Sequence, residues 1–230
     1  MIEVAKSKSD LKVRTLSAIV MVAVAGWALW SGGLVFQLFV GLVGLGLLWE
    51  LWALVSKIAK MLWTRAILML GGLVYIGVAC FTLITLRNPF FGITAALMII
   101  GAVIATDVGA YFVGRNVGGP KIAPRISPSK TWSGLFGGML ASGLALIGIA
   151  QMLATSDLHM GVWYHFGVGA AIAVIAQIGD FFQSWMKRRA GVKDSGNLIP
   201  GHGGLFDRTD GLIAVLFVTG AIASVAWLGA

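Results

Sequence analysis

The sequence predicts an all-α, polytopic membrane protein with about seven transmembrane helices. Of its 230 residues, 58% are hydrophobic and only 11% are charged, and the mean hydropathy is +0.92. A soluble domain of this length does not need so much apolar surface, whereas a helical membrane protein does. In addition, apolar runs long enough to cross a bilayer, about 17–25 residues, recur along the chain.

Seven apolar runs, separated by short polar connections, give the order of the helices. They cover residues 15–31, 34–54, 66–87, 91–114, 133–155, 161–186 and 209–229. The first run admits a second interpretation, a cleaved signal peptide, because basic residues precede it and Ala23-Val24-Ala25 resembles a cleavage site. The apolar run continues beyond that site to Trp30, which favours a retained helix.

Positive charges alternate between the connections. All 17 Lys and Arg except Arg87 fall in the N-terminal segment or in the connections after the second, fourth and sixth runs. By the positive-inside rule, this distribution predicts a cytoplasmic N-terminus and a C-terminus on the opposite side. The net charge of +8 then reflects cytoplasmic connections with affinity for phosphates or anionic lipid headgroups, and no nucleic-acid partner is expected.

The chain accordingly divides into a cytoplasmic basic N-terminus at 1–14, N-terminal transmembrane helices at 15–90, and a C-terminal half at 91–230. That half contains the two long polar connections, predicted as cytoplasmic loops at 115–132 and 187–208, and we expect it to carry the functional residues. The single cysteine, Cys80, lies in an apolar run, which excludes a disulfide framework and a thiolate metal site.

Carboxylates in and beside the apolar runs are the most informative polar residues. With the predicted orientation, acidic residues from four helices gather at the cytoplasmic side: Glu50, Asp107, Asp180, Asp207 and Asp210. Ionisable residues at such depth are costly and mark functional sites. Structural interpretations also exist: Glu50 beside Trp49 and Trp52 as an interfacial anchor, Asp107 as a partner of Arg115, and Asp207 or Asp210 as a helix cap.

Two helices carry these carboxylates on polar stripes. Residues spaced by three or four share one helix face. Such faces are formed in the fourth run by Asp107, Tyr111 and Arg115, and in the sixth by Gln177, Asp180, Ser184 and Lys187. If the two stripes face each other, they enclose a hydrophilic cavity that opens to the cytoplasm.

The residue types around this cavity indicate phosphate chemistry. Carboxylates without clustered Cys or His favour a hard cation such as Mg²⁺, which binds through one or two carboxylates and substrate phosphates. Basic residues at 187–193 and 121–132 supply phosphate-binding charge, and Gly201, Gly203 and Gly204 permit close backbone approach to a ligand. The chain contains no P-loop pattern. These features predict transfer of a phosphate-containing group to or from a lipid.

Twelve positions in this region resemble the signature of the phosphatidate cytidylyltransferases, also called CDP-diacylglycerol synthases. They are Ser184, Lys187, Arg188, Lys193, Asp194, Pro200, His202, Gly203, Gly204, Asp207, Arg208 and Asp210. Upstream, DVGAYFVGRNVGGPKIAPRISPSKTWSG at 107–134 is similar to the other cytoplasmic segment of that family. The resemblance therefore covers the chain from about Asp107 to its end.

The resemblance implies a nucleotidyltransferase of phospholipid biosynthesis. Enzymes of this family lie in the inner membrane of bacteria, with the active site facing the cytoplasm, and are generally homodimers. The phosphate of phosphatidic acid attacks the α-phosphorus of CTP, which gives CDP-diacylglycerol and pyrophosphate. The expected cofactor is Mg²⁺, paired with K⁺.

Site residues carry over position by position. Asp180 and Asp207 would hold the metal, with Ser184 and Asp210 as further catalytic residues. Phosphates and other parts of the substrates would be bound by Lys187, Arg188, Lys193, Asp194, His202, Gly203, Gly204, Arg208, Asp107 and Lys130. The signature does not include Arg189, which we expect to serve membrane orientation alone.

Two alternatives remain at this point. A related CTP-dependent transferase could act on another lipid phosphate. A cation-coupled transporter could also place carboxylates near the cytoplasm, but it needs a path across the membrane, and no acidic residue lies in the outer half of any predicted span.

Overall fold

A computed structural model describes residues 2–153 and 161–228 and folds them into seven long helices. The helices are α1 (Ile2–Ser31), α2 (Gly33–Ile58), α3 (Leu62–Leu86), α4 (Thr94–Asn116), α5 (Trp132–Met152), α6 (Val162–Ala190) and α7 (Phe206–Leu228). Each is long and apolar enough to cross a membrane, so the predicted all-α, multi-pass class is confirmed. The helix ends differ from the prediction by several residues, and α1 extends into the polar segment 1–14.

Helices α6 and α7 occupy the middle of the bundle. Helix α6 packs against α2, α4, α5 and α7, while α7 also packs against α3, and α1 contacts mainly α2. Buried apolar side chains fill the spaces between these helices, and Leu54 and Phe206, each 1% exposed, belong to the largest cluster. Helices α2, α4 and α6 finish at one end of the bundle, where α1, α3, α5 and α7 begin, and we call this end the site end.

Close helix contact between α4 and α5 depends on small residues. A β-carbon added to Gly134 would lie 3.0 Å from the carbonyl oxygen of Ala110, and one added to Gly138 would lie 3.1 Å from that of Thr106. Because these distances are too short for ordinary packing, a larger residue would push the helices apart. The two glycines therefore allow α4 and α5 to pack closely against each other.

Arg87, the cation that the sequence places opposite all others, has a structural role at the far end of the bundle. Its guanidinium donates from Nε to the carbonyl of Leu29 (2.7 Å) and from Nη2 to that of Trp30 (3.0 Å). These carbonyls lie in the last turn of α1, where intrahelical donors are missing. Arg87 therefore caps α1 from the end of α3.

The connection 115–132, predicted only as a loop, contains a short antiparallel hairpin. Strand β1 (Lys121–Ala123) pairs with β2 (Ser127–Thr131), with Lys121 opposite Thr131 and an irregularity in the register. Thr131 then caps α5, because its hydroxyl accepts a hydrogen bond from the Gly134 N–H at 3.1 Å. The hairpin fixes the direction of Lys130, one residue before this cap.

Candidate active site

Polar side chains meet along the contact between α6 and α7 at the site end. On α6, Asp180, Gln183 and Lys187 follow spacings of three and four and therefore share a face. On α7, Asp207 and Asp210 are one turn apart, about 4.5 Å along the axis. The helices run in opposite directions, so Asp180 lies opposite Asp210, while Gln183 and Lys187 lie opposite Asp207.

The first set of contacts surrounds Asp180, and we call Asp107, Lys130, Asp180 and Asp210 the Asp180 group. The Lys130 ammonium forms an ion pair with Asp180 Oδ2, and both side chains are partly accessible, at 24% and 19%. The carboxyl group of Asp210 lies close to that of Asp180 and is within electrostatic reach of it and of Lys130. Asp107 of α4 is within electrostatic reach of Asp180 and Lys130. Three carboxylates therefore face one lysine.

Glycines keep the carboxylates of this group together. A β-carbon on Gly211 of α7 would lie 3.3 Å from Asp180 Oδ1, and one on Gly179 of α6 would lie 2.7 Å from the carbonyl oxygen of Asp210. The two backbones therefore touch beside the acidic pair. A side chain at either glycine would separate α6 from α7 and pull Asp180 away from Asp210.

The second set of contacts surrounds Asp207. We call Gln183, Lys187, Ser195 and Asp207 the Asp207 group. Asp207 Oδ1 accepts hydrogen bonds from Lys187 Nζ (2.6 Å) and Gln183 Nε2 (2.9 Å). Its Oδ2 accepts from the Ser195 N–H (2.8 Å), the Ser195 hydroxyl (3.0 Å) and the Gly204 N–H (3.0 Å). With only 8% of the side chain accessible, donors satisfy this carboxylate on both oxygens.

Glu50 of α2 is a further carboxylate at the site, and its interpretation as an interfacial anchor is wrong. The residue is 1% exposed, whereas the neighbouring Trp49 and Trp52 do face outward. Its Oε1 accepts from the Leu205 N–H at 2.8 Å, and its Oε2 accepts from the Phe206 N–H at 2.9 Å and from the Ser195 hydroxyl at 2.8 Å. Glu50 therefore contacts the start of α7.

Residues 195–206, which we call the glycine segment, lead from the connection after α6 into the first residue of α7 and contain a tight turn. The Ile199 N–H donates to the Gly203 carbonyl and the His202 N–H to the Ile199 carbonyl, both at 3.0 Å. Gly201 and Gly203 have φ angles of +75° and +82°, which other residues rarely adopt. Gly204 donates its N–H to Asp207. The glycine backbone was predicted to approach a ligand closely, and in the structure it approaches a carboxylate of the protein itself.

Helix α1 contacts the same segment. The Ser17 hydroxyl donates to the Pro200 carbonyl (2.9 Å) and lies 2.9 Å from His202 Nδ1. The Arg208 guanidinium donates to the His202 carbonyl from Nη2 (2.8 Å) and Nε (3.3 Å). His202, predicted to bind substrate, is thus held from both sides.

The remaining predicted basic residues lie around the rim of the site. Arg188 is exposed and donates from Nε to the Ile126 carbonyl at 3.4 Å, which joins the end of α6 to the hairpin. Arg189 instead lies over the Trp185 ring, 5.4 Å from its centroid, away from both acidic groups. Lys193 is exposed in the connection that follows.

Ser184, Asp194 and the outer part of α4 complete the predicted set. Ser184 is half-buried one turn beyond Asp180, and Asp194 is exposed and packs against Gly203. Arg115 donates to the Tyr111 hydroxyl and lies over its ring, so the proposed Asp107–Arg115 pairing is replaced by an Arg115–Tyr111 contact. Of the predicted α4 stripe, Asp107 is thus the member that reaches α6.

The geometry fits a hard cation only in part of the site. Within the part of the chain that the structure describes, no group of three or more Asp, Glu, His or Cys is close enough to bind a metal ion. Mg²⁺ needs only one or two carboxylates when substrate phosphates and waters complete its shell. Asp180 and Asp210 supply such a pair, and like charges in contact repel unless a proton or a cation lies between them. Asp207 lies one turn away, with its oxygens already hydrogen-bonded.

Sequence reasoning did not assign four residues to the site, namely Ser17, Glu50, Gln183 and Ser195, although it placed Glu50 among the carboxylates that gather at this end. Gln183 could have been found, because it is three residues from Asp180 and four from Lys187, with both of which it shares a face of α6. Ser17 and Glu50 could not, because their partners lie 183 or more and 145 or more residues away in the chain.

Comparison with known proteins agrees with the resemblance. A family model described as the cytidylyltransferase family matches residues 55–226. The phosphatidate cytidylyltransferase of Brucella suis is 35% identical over 259 residues, covering 93% of this chain and 94% of the relative. The proteins of the same name from Rickettsia bellii and Staphylococcus epidermidis are 36% and 33% identical, each over 90% of this chain and over 88% and 96% of their own length. The chain therefore belongs to the cytidylyltransferase family.

Proposed function

We propose that this member of the cytidylyltransferase family transfers the cytidylyl group of CTP to phosphatidic acid. A phosphate oxygen of the lipid attacks the α-phosphorus of CTP, and the bond to the departing pyrophosphate breaks. The products are CDP-diacylglycerol and pyrophosphate. One observation carries the proposal. The signature residues meet at one end of a bundle of seven membrane-length helices, where carboxylates and lysines converge beside apolar, lipid-facing surface.

The Asp180 group is the part of the site that suits the chemistry. Phosphoryl transfer depends on positioning and neutralisation of charge more than on a covalent nucleophile. Lys130 pairs with Asp180 and Lys187 pairs with Asp207, and both lysines can reach phosphate oxygens if they leave these carboxylate partners. The exposed Arg188 and Lys193 extend the positive charge to the rim, where a triphosphate arrives first.

Asp180 and Asp210 would hold Mg²⁺, which would neutralise charge on the triphosphate. Asp207, the second ligand implied by the resemblance, would join them if Lys187 or Gln183 released Oδ1. Ser184 follows Asp180 on the same face and would orient a phosphate oxygen or a bound water. K⁺ as a paired cation stays a prediction.

We further propose that the site end faces the cytoplasm of a bacterial inner membrane. The distribution of Lys and Arg supports this orientation, since all except Arg87 belong to the site end or its connections. Reporter fusions after residues 60, 120 and 195 should then report the cytoplasm, and a fusion at the C-terminus should report the opposite side. A cytoplasmic C-terminus would contradict the orientation.

A homodimer is expected from the family resemblance alone. Mass photometry of the purified protein in detergent or nanodiscs distinguishes one chain from two. The site contacts described here all lie within one chain, so the activity proposal does not depend on this outcome.

The proposal is tested with purified protein, labelled CTP, Mg²⁺ and phosphatidic acid. A labelled liponucleotide and an equal amount of pyrophosphate should form, and neither should form with the Asp180→Asn variant. Parallel reactions with polyprenyl phosphate and other lipid phosphates test for a related transferase. Product with one of those lipids alone would replace phosphatidic acid as substrate, and no product with any of them would reject the enzyme.

A further inference from the structure

Glu50 lies outside the region that carries the family signature, yet its carboxylate reaches the centre of the site. It belongs to α2, is 1% exposed and sits beneath the glycine segment. Burying a carboxylate in a membrane helix costs free energy, which hydrogen bonds to the charged group can offset. The three hydrogen bonds that it accepts, at 2.8 to 2.9 Å, show where that charge acts.

Two of these hydrogen bonds come from the start of α7. The N–H groups of Leu205 and Phe206 belong to the last residue before the helix and to its first residue. Such groups have no partner inside the helix and carry partial positive charge. Glu50 therefore caps α7 from another helix, and the next residue in α7 is Asp207. Fixing the first turn fixes the direction of the Asp207 side chain.

The third hydrogen bond comes from Ser195, whose single hydroxyl proton is shared between Glu50 and Asp207. Ser195 Oγ lies 2.8 Å from Glu50 Oε2 and 3.0 Å from Asp207 Oδ2. Glycines make room for this arrangement, since a β-carbon on Gly196 would lie 2.6 Å from Glu50 Oε1 and one on Gly204 would lie 2.5 Å from Oε2. Residues at both ends of the glycine segment therefore pack against the carboxylate of Glu50.

We propose that Glu50 is a positioning residue for cytidylyl transfer, which holds Asp207 and the glycine segment in the arrangement that the reaction needs. The inference rests on the proposed function. Glu50 does not touch the phosphates; it acts through Ser195 and the first turn of α7. The N-terminal helices, which lack the family signature, thereby contribute directly to the geometry of the site.

The test compares Glu50→Gln and Ser195→Ala with the wild-type protein and with Thr82→Val as a matched control. Glutamine keeps the size of Glu50 but removes its charge, and its amide presents donors to the N–H groups of α7. Ser195→Ala removes one of the three hydrogen bonds and leaves the charge. Thr82 is also a buried polar residue, at 6% exposure, but its hydroxyl bonds to the Val78 carbonyl in its own helix.

Two measurements are made on each protein: steady-state kinetics with CTP and phosphatidic acid, and hydrogen exchange by mass spectrometry. Glu50→Gln should lower kcat at least tenfold, with the KM for CTP within about threefold of wild type, because the substrate contacts remain. Amide exchange in residues 195–206 should become at least tenfold faster, while α3 keeps its protection. Ser195→Ala should show smaller changes of the same kind, and Thr82→Val should show neither.

Three results would overturn the inference: wild-type kcat in Glu50→Gln, a change confined to the KM for CTP, or faster exchange throughout the bundle, which would indicate general stabilisation. Failure of the proposed function looks different, because the wild-type protein itself would then make no liponucleotide. In that case exchange in residues 195–206 still decides whether Glu50 holds the segment, and unchanged exchange there would reject its positioning role.

Discussion

The Asp180 group and the Asp207 group lie one helical turn apart on the same helix contact. They differ in how far protein donors compensate the negative charge of the carboxylate. Asp207 accepts four hydrogen bonds and shares the Ser195 hydroxyl with Glu50, and its side chain is 8% accessible. Asp180 has one lysine partner, lies against a second carboxylate and is 19% accessible. The first carboxylate is satisfied by the protein, and the second retains unsatisfied negative charge.

Carboxylates on the same helix contact therefore need not share one role. A saturated carboxylate holds the backbone that surrounds it, as Asp207 does for Ser195 and Gly204. Asp180 and Asp210 together carry more negative charge than the single ammonium of Lys130 neutralises. Such a pair is suited to binding a cation, including one that is also bound to phosphate. We therefore propose that Asp180 and Asp210 serve mainly the chemistry and that Asp207 serves mainly the architecture of the site.

The largest expected effect is on Asp180. Asp180→Asn should lower kcat at least 100-fold, since the amide keeps the shape of the side chain but loses the charge that suits a hard cation. Steady-state assays of purified protein provide the measurement, with expression and the size-exclusion profile as controls for folding. Activity above about a tenth of wild type, which corresponds to only ~1.4 kcal/mol of barrier, would reject the assigned role.

A smaller effect is expected at Lys187, which we propose to contact the phosphates of the nucleotide. Lys187→Gln should lower kcat/KM for CTP about tenfold or more, because a charge-assisted contact to phosphate is worth roughly 1.5–3 kcal/mol. Arg189→Gln is the matched control, since its guanidinium lies over Trp185 and faces neither group. Equal and small effects at Lys187 and Arg189 would show that this basic run serves membrane orientation alone.

The smallest effect is expected from the contact between α1 and the glycine segment. Ser17→Ala removes the hydrogen bond to the Pro200 carbonyl and the contact with His202 Nδ1. Because Arg208 still holds His202, kcat should fall no more than about fivefold, in line with one neutral hydrogen bond of roughly 1 kcal/mol. A loss as large as that of Asp180→Asn would mean that α1 participates in the chemistry.

Hydrophobic runs were sufficient to predict the fold class and all seven helices, because a membrane-spanning helix is defined by length and apolarity. The site was predicted where spacing along one helix reveals a shared face, as for Asp180 and Lys187. It was missed where contacts join distant segments. Nothing in the neighbourhood of Glu50 indicates a partner in α7, and the tryptophans beside it favour the wrong interpretation.

The hairpin at 121–131 was missed for a local reason. Its strands are three and five residues long and contain Pro, Ser and Lys, which are poor signals for strands. Consequently the direction of Lys130 could not be predicted, and its ion pair with Asp180 came only from the structure. Residue type predicted that Lys130 belongs to the site, but not which carboxylate it would contact.

The central claim, that Asp207 anchors the site while Asp180 serves its chemistry, is tested most directly by thermal stability. The melting temperatures of purified Asp207→Asn and Asp180→Asn should be compared with that of wild type in the same detergent. Asp207→Asn leaves buried donors and Lys187 without a charged partner, a loss of about 3 kcal/mol or more, so Tm should fall by roughly 5 °C or more. Asp180→Asn loses the partly accessible ion pair with Lys130 but relieves repulsion with Asp210, so its Tm should stay within about 2 °C of wild type or exceed it. Equal shifts, or a larger fall for Asp180→Asn, would contradict the division of roles.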